Sequence, residues 1–111
     1  MTEIFKLSDL AQYDYEDILS YIVEGNLSAA KQVRIEFSKT FALLAENPNI
    51  GHKRSDITSK PVRFWNLYSY QIIYVENTSP LQILRILSGY RDLANILEDW
   101  NNMTHIFPII A

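Results

Sequence analysis

Two apolar stripes at helical spacing, separated only by a Gly25-Asn26 step, most limit what this chain can fold into. Ala11, Tyr15, Ile18, Leu19, Ile22 and Val23 recur at three- and four-residue intervals, and Ala30, Val33, Phe37, Phe41 and Leu44 repeat the pattern. The first stripe predicts a helix over about residues 9–24. Ser8 and Asp9 stand where its N-cap belongs, because their oxygens can accept the orphan N–H groups of a first turn. Gly25-Asn26 is expected to end it, with the glycine in the left-handed C′ conformation. Asn26 or Ser28 then caps a second helix, and Asn47-Pro48 stops it, since the residue before proline is pushed out of the α region. So short a connection folds the two helices back as an antiparallel hairpin, whose joint apolar face needs a cover.

The rest of the chain supplies that cover. Residues 49–60 read as a loop, and 61–67, 70–76 and 81–88 as three strands rich in β-branched and aromatic residues. Tyr68-Ser69 is a tight connection, and Asn77-Thr78-Ser79-Pro80 is a turn before the third strand. Glu3 to Leu7 offers a further short edge strand. Beyond Gly89, residues 92–100 carry Leu93, Ile96, Leu97 and Trp100 in a short amphipathic pattern, followed by a tail, 101–111, with an apolar end. The expected fold is one α+β domain over 1–111: an N-terminal antiparallel helical hairpin on a small antiparallel sheet, with a short C-terminal helix.

Charge narrows the function classes. The net charge of −3 argues against a chain that binds DNA directly and sequence-specifically by itself. Residues 1–47 hold four Lys/Arg against eight Asp/Glu, whereas residues 48–91 hold six against two. An anionic partner should therefore meet the middle of the chain. There is no cysteine, and His52 and His105 have no companions at ligand spacing, so neither a metal site nor a cofactor is expected. No apolar run approaches the roughly 20 residues that span a bilayer. The N-terminus lacks a signal-peptide pattern, so a soluble, cytoplasmic protein is expected, with no membrane partner.

Four local patterns on these elements resemble the ParE/RelE superfamily, the toxins of type II toxin–antitoxin systems. Ala11 to Tyr21 (AQYDYEDILSY) is similar to its opening helix, A-x-x-D-L-x-x-I-x-x-Y, departing slightly at Tyr15-Glu16-Asp17-Ile18. Leu44 to Arg54 (LAENPNIGHKR) looks like its L-x-x-x-P-x-x-G-x-x-R. Arg63 followed by Tyr70-Gln71-Ile72-Ile73-Tyr74 resembles its central hairpin, and Ile83 to Asp92 (ILRILSGYRD) its I-L-R-V-L-H-G-x-R-D. Three departures bear on mechanism. Ser88 replaces a common histidine, Gln71 stands where RelE-type chains carry an arginine, and Leu97 falls where a catalytic tyrosine would be.

The resemblance is closer to ParE than to RelE. It implies a toxin that inhibits an essential target, DNA gyrase for the ParE type, and is neutralised by a cognate protein antitoxin. It also implies target contacts at Arg54, Arg63, Tyr90 and Arg91. Two other readings stand beside it. One is a RelE-like endoribonuclease that cuts messenger RNA on the ribosome, with Arg63, Arg85 and Arg91 holding phosphate and Tyr90 moving a proton. The other is a non-toxic relic that still binds antitoxin. Each cation also has a bland reading: Arg91 pairing with Asp92 or Asp99, Arg85 paired mid-strand, and His52-Lys53-Arg54 as a solvated loop. Arg63, at a strand start, is expected to be exposed and so to be the better candidate for a contact surface.

Overall fold

The computed structural model describes residues 4–88, in the order β1 (Phe5–Leu7), α1 (Asp9–Gly25), α2 (Leu27–Glu46), β2 (Val62–Leu67), β3 (Tyr70–Val75) and β4 (Leu81–Ser88). The expected C-terminal helix and tail lie outside these residues. Ser8 caps α1, its hydroxyl accepting from Ala11 N–H at 3.0 Å. Asn26 serves both helices: its N–H donates to Ile22 O at 2.8 Å, and its side-chain oxygen accepts from Ala29 N–H at 3.0 Å. The expected left-handed glycine does not form. Gly25 stays within α1, and Asn26 makes the break in extended conformation at φ −165°. One cap doing two jobs leaves no room for a separate C′ residue.

The sheet runs β1-β4-β3-β2. β2–β3 and β3–β4 are antiparallel as expected, but β1 joins β4 in parallel, so the four-stranded sheet is mixed rather than antiparallel throughout. The α1–α2 hairpin lies between β1 and the remaining strands in sequence, so the chain can re-enter the sheet with the last strand alongside the first in the same direction. Tyr68, in the two-residue β2–β3 turn, takes φ 55°, and Asn77 takes φ 60° in the next connection. Asparagine tolerates that region, whereas tyrosine is unusual there and is held by the tight turn.

Strand alternation divides the sheet into two apolar faces. Ile72, Tyr74, Leu81, Ile83 and Ile86 face the hairpin and meet Ala11, Ile18, Phe37, Phe41 and Leu44. Phe37 touches Tyr15, Phe41 and Tyr70 at ring-centroid distances of 5.4, 5.7 and 5.8 Å. Burying each such side chain contributes roughly 1.5–3 kcal/mol. Val62, Phe64, Ile73, Val75, Leu84 and Leu87 form the second cluster, with Ile57 of the 49–60 loop against it. That loop is not wholly irregular: His52 pairs with Phe64 through two 2.8 Å backbone bonds and so covers part of the β2 edge.

Candidate functional site

The turn after α2 is locked onto β3 by one phenol. Tyr74 is fully buried, and its hydroxyl accepts from Gly51 N–H at 2.9 Å and donates to Pro48 O at 2.8 Å. A Cβ on Gly51 would lie 2.8 Å from Tyr74 Cε1, closer than real contacts allow, so only glycine lets the turn settle here. Burial pushes the Tyr74 phenol above the usual tyrosine value. The Pro48 and Gly51 of the second motif are therefore architectural.

Arg63 completes the same lock. Its Nε donates to Glu76 Oε2 at 2.8 Å, and its Nη1 donates to the carbonyls of Gly51 at 2.9 Å and Asn49 at 3.2 Å. The Arg63 side chain is 18% exposed and that of Glu76 13%, so the expectation of an open Arg63 is corrected. β2–β3 pairing sets Arg63 directly opposite Tyr74, on the inner face, rather than toward water. Lys53 reaches the other Glu76 oxygen at 3.3 Å. Arg54 makes a two-pronged pair with Asp56, at 3.1 and 3.0 Å, and that hydrogen bonding holds the Asp56 carboxyl below its usual value. Lys53, Arg54, Lys60 and Glu76 border a hollow of about 320 Å³, which gathers three of the six cations of the basic middle segment.

Arg85 sits in a second seam. Its Nε and Nη2 donate to the two oxygens of Asp14, at 2.8 and 3.0 Å. The first of those oxygens also accepts from Ile86 N–H at 3.0 Å. Ser8 adds a hydroxyl bond to Leu84 O at 2.8 Å and an N–H bond to Ile83 O at 2.9 Å. Residues at the start of α1 thus continue along the β4 edge where β1 ends. The seam explains Asp14 of the opening-helix motif and gives Arg85 a structural partner, so two of the proposed phosphate-holding arginines are each engaged by a carboxylate.

Gln71, at the RelE arginine position, is 3% exposed on the face away from the hairpin and packs among that second cluster's strands. The structure brings Arg54 and Arg63 to one end of the molecule and sets Arg85 apart on the helical side. Tyr90, Arg91 and Leu97 lie outside the described residues. Glu76, Asp14 and Tyr74 escaped the sequence reading as partners. The available signals were an arginine in a strand needing a counter-charge and the aspartate in the first motif. Among the described residues no group of three or more His, Asp or Glu side chains is placed to hold a metal ion, and no helix is long and apolar enough to cross a membrane.

The family model for the ParE toxin of the type II toxin–antitoxin system parDE matches residues 5–93, from β1 through β4 and beyond. No curated protein gave a significant match.

Proposed function

The chain belongs to the ParE toxin family of type II toxin–antitoxin systems, and on that premise we propose that it acts in the cytoplasm by binding and inhibiting DNA gyrase, without catalysing a reaction itself. A cognate protein antitoxin neutralises it. The observation that carries the binding reading over a catalytic one is the engagement of Arg85 by Asp14 and of Arg63 by Glu76. A phosphorane-stabilising cation must be available to the reacting phosphate; withdrawing Arg85 would leave the mostly buried Asp14 carboxylate without its cation, and withdrawing Arg63 would leave Glu76 only the exposed Lys53. Arg54, Tyr90 and Arg91 are the proposed target contacts. Arg63 supports them through the loop that it holds.

The test is inducible expression in a bacterial host, with growth, nucleoid staining and messenger-RNA integrity followed together. Filamentous arrest with intact transcripts is the expected result. Arrest with codon-phased cleavage would move the assignment to a ribosome-dependent nuclease. Normal growth with retained antitoxin binding would leave a non-toxic relic.

A further inference from the structure

The connection from α2 into β2 is held more firmly than a surface loop ordinarily is. The Tyr74 hydroxyl bonds both Pro48 O and Gly51 N–H, and Arg63 donates to the carbonyls of Asn49 and Gly51. His52 then exchanges two 2.8 Å backbone bonds with Phe64. All of these bonds fix the loop's backbone, and the side chains between them meet solvent. Ile50 is 38% exposed and Lys53 56%. His52 is exposed too, its ring within 13° of parallel to that of half-buried Trp65 at 6.4 Å. Glu76 serves Arg63 at 2.8 Å and Lys53 at 3.3 Å, so one carboxylate stands against two cations. α1 has the opposite sign: Asp9, Glu16, Asp17 and Glu24 are exposed, and the helix has no lysine or arginine.

We propose that the loop at residues 50–53 is the face this chain presents to an acidic segment of its protein target. The inference rests on the reading of the chain as an inhibitor that binds gyrase, and it names the chemistry of that contact. A loop already fixed in the free protein loses little freedom on binding. Ile50 and the His52–Trp65 pair offer apolar and aromatic surface, which suits a polypeptide with side chains to bury. Lys53 selects carboxylates and disfavours basic segments by like-charge repulsion. A nucleic acid is the less suited anion. Duplex DNA carries one negative charge for about every 1.7 Å of its axis and calls for an extended basic track. Here the cations are gathered near one short loop, and the four exposed acids of α1 oppose a long polyanion. A short acidic segment meets the loop alone.

The test measures binding of the purified full chain to purified DNA gyrase as salt is raised. Ile50→Ser with Lys53→Ala should weaken the complex about 30-fold and flatten its salt dependence. The thermal midpoint of this variant should stay close to the parent's, since both side chains are exposed. Lys39→Ala, on α2 and 70% exposed, removes the same charge elsewhere and should change affinity by less than about twofold. Titrated with a poly-glutamate peptide, the amides of residues 50–54 should shift in the parent, and a DNA duplex of equal charge should shift them less. Affinity for gyrase unchanged by the double substitution, or lowered no more than by Lys39→Ala, overturns the loop assignment and leaves the gyrase reading standing. Loop amides that answer to the duplex and not to the peptide overturn the acidic-segment assignment in favour of nucleic acid. A parent chain that does not bind gyrase overturns that reading, and the inference with it.

Discussion

The two arginine-centred seams use the same chemistry to tie very different parts of the molecule. Arg63–Glu76 joins residues 13 apart in the hairpin and fixes the adjoining turn, whereas Arg85–Asp14 joins residues 71 apart and sews the first helix to the last strand. Both pairs are mostly shielded, with side-chain exposures of 18% and 13% in one and 19% and 12% in the other. Shielded pairs are costly to break because the surviving charge is left without a partner. The difference lies in reach. Loss of the hairpin pair should open the 49–54 loop locally, while loss of the α1–β4 pair should weaken the layer contact on which the whole domain depends.

The largest expected effect is at that layer contact. Asp14→Ala removes both bonds to Arg85 and the acceptor for Ile86 N–H, and should cost about 3 kcal/mol, read as a lower denaturation midpoint by every probe. A loss confined to the α1 amides would show that the seam is local after all. Gly51→Ala comes next, at about 2.5 kcal/mol, because the new methyl group must displace the buried Tyr74 ring. Hydrogen exchange should quicken first between residues 48 and 54, and uniform exchange throughout would erase the contrast between the regions.

Tyr74→Phe should cost about 1.5–2 kcal/mol, since Gly51 N–H and Pro48 O both lose their partner. It also carries a pH signature. Burial raises the folded-state phenol above its ordinary 10.0, so the fold favours the neutral form. That contribution is fully present below the unfolded value and is lost as pH rises through the raised folded value. Tyr15 shifts in the same direction, again chiefly through burial, and keeps part of the effect in the variant. Chemical denaturation at rising alkaline pH should therefore show a shallower loss for Tyr74→Phe than for the parent. The smallest effect is at Lys53→Ala, about 0.5 kcal/mol or less, because Lys53 is 56% exposed and Glu76 retains Arg63. A larger loss would mean that the hairpin seam depends on both cations.

Much of this contrast was invisible in the sequence, for a physical reason. Periodicity fixed which residues face inward, so the two helices, the three longer strands and the Ser8 cap were legible. Asn26 was legible as a cap, but not as the single residue serving both helices and relieving Gly25 of a left-handed conformation. Alternation says nothing about which strand lies beside which, so the parallel β1–β4 pair emerged only from the fold. The same gap hid the partners of the arginines. Asp14 and Arg85 meet across most of the described chain, and no local spacing links them. Arg63 read as exposed because a strand start usually is; its position opposite buried Tyr74 overrode that tendency. The motif glycine and proline were recognised by pattern, while their reason, a phenol bridging Gly51 and Pro48, depended on the three-dimensional approach of β3.

The most direct test of the central claim, that these arginines hold the fold and do not hold phosphate, is growth inhibition by the double variant Asp14→Asn with Arg85→Gln. The amide at position 14 can still accept from Ile86 N–H and the pair can still hydrogen-bond, but the cation is gone. Replacing a shielded ion pair as a unit is often close to neutral, so stability should remain within about 1 kcal/mol of the parent. The account predicts a folded variant that still arrests growth as the parent does. A folded, equally stable variant that no longer arrests growth would contradict it and return Arg85 to the chemistry.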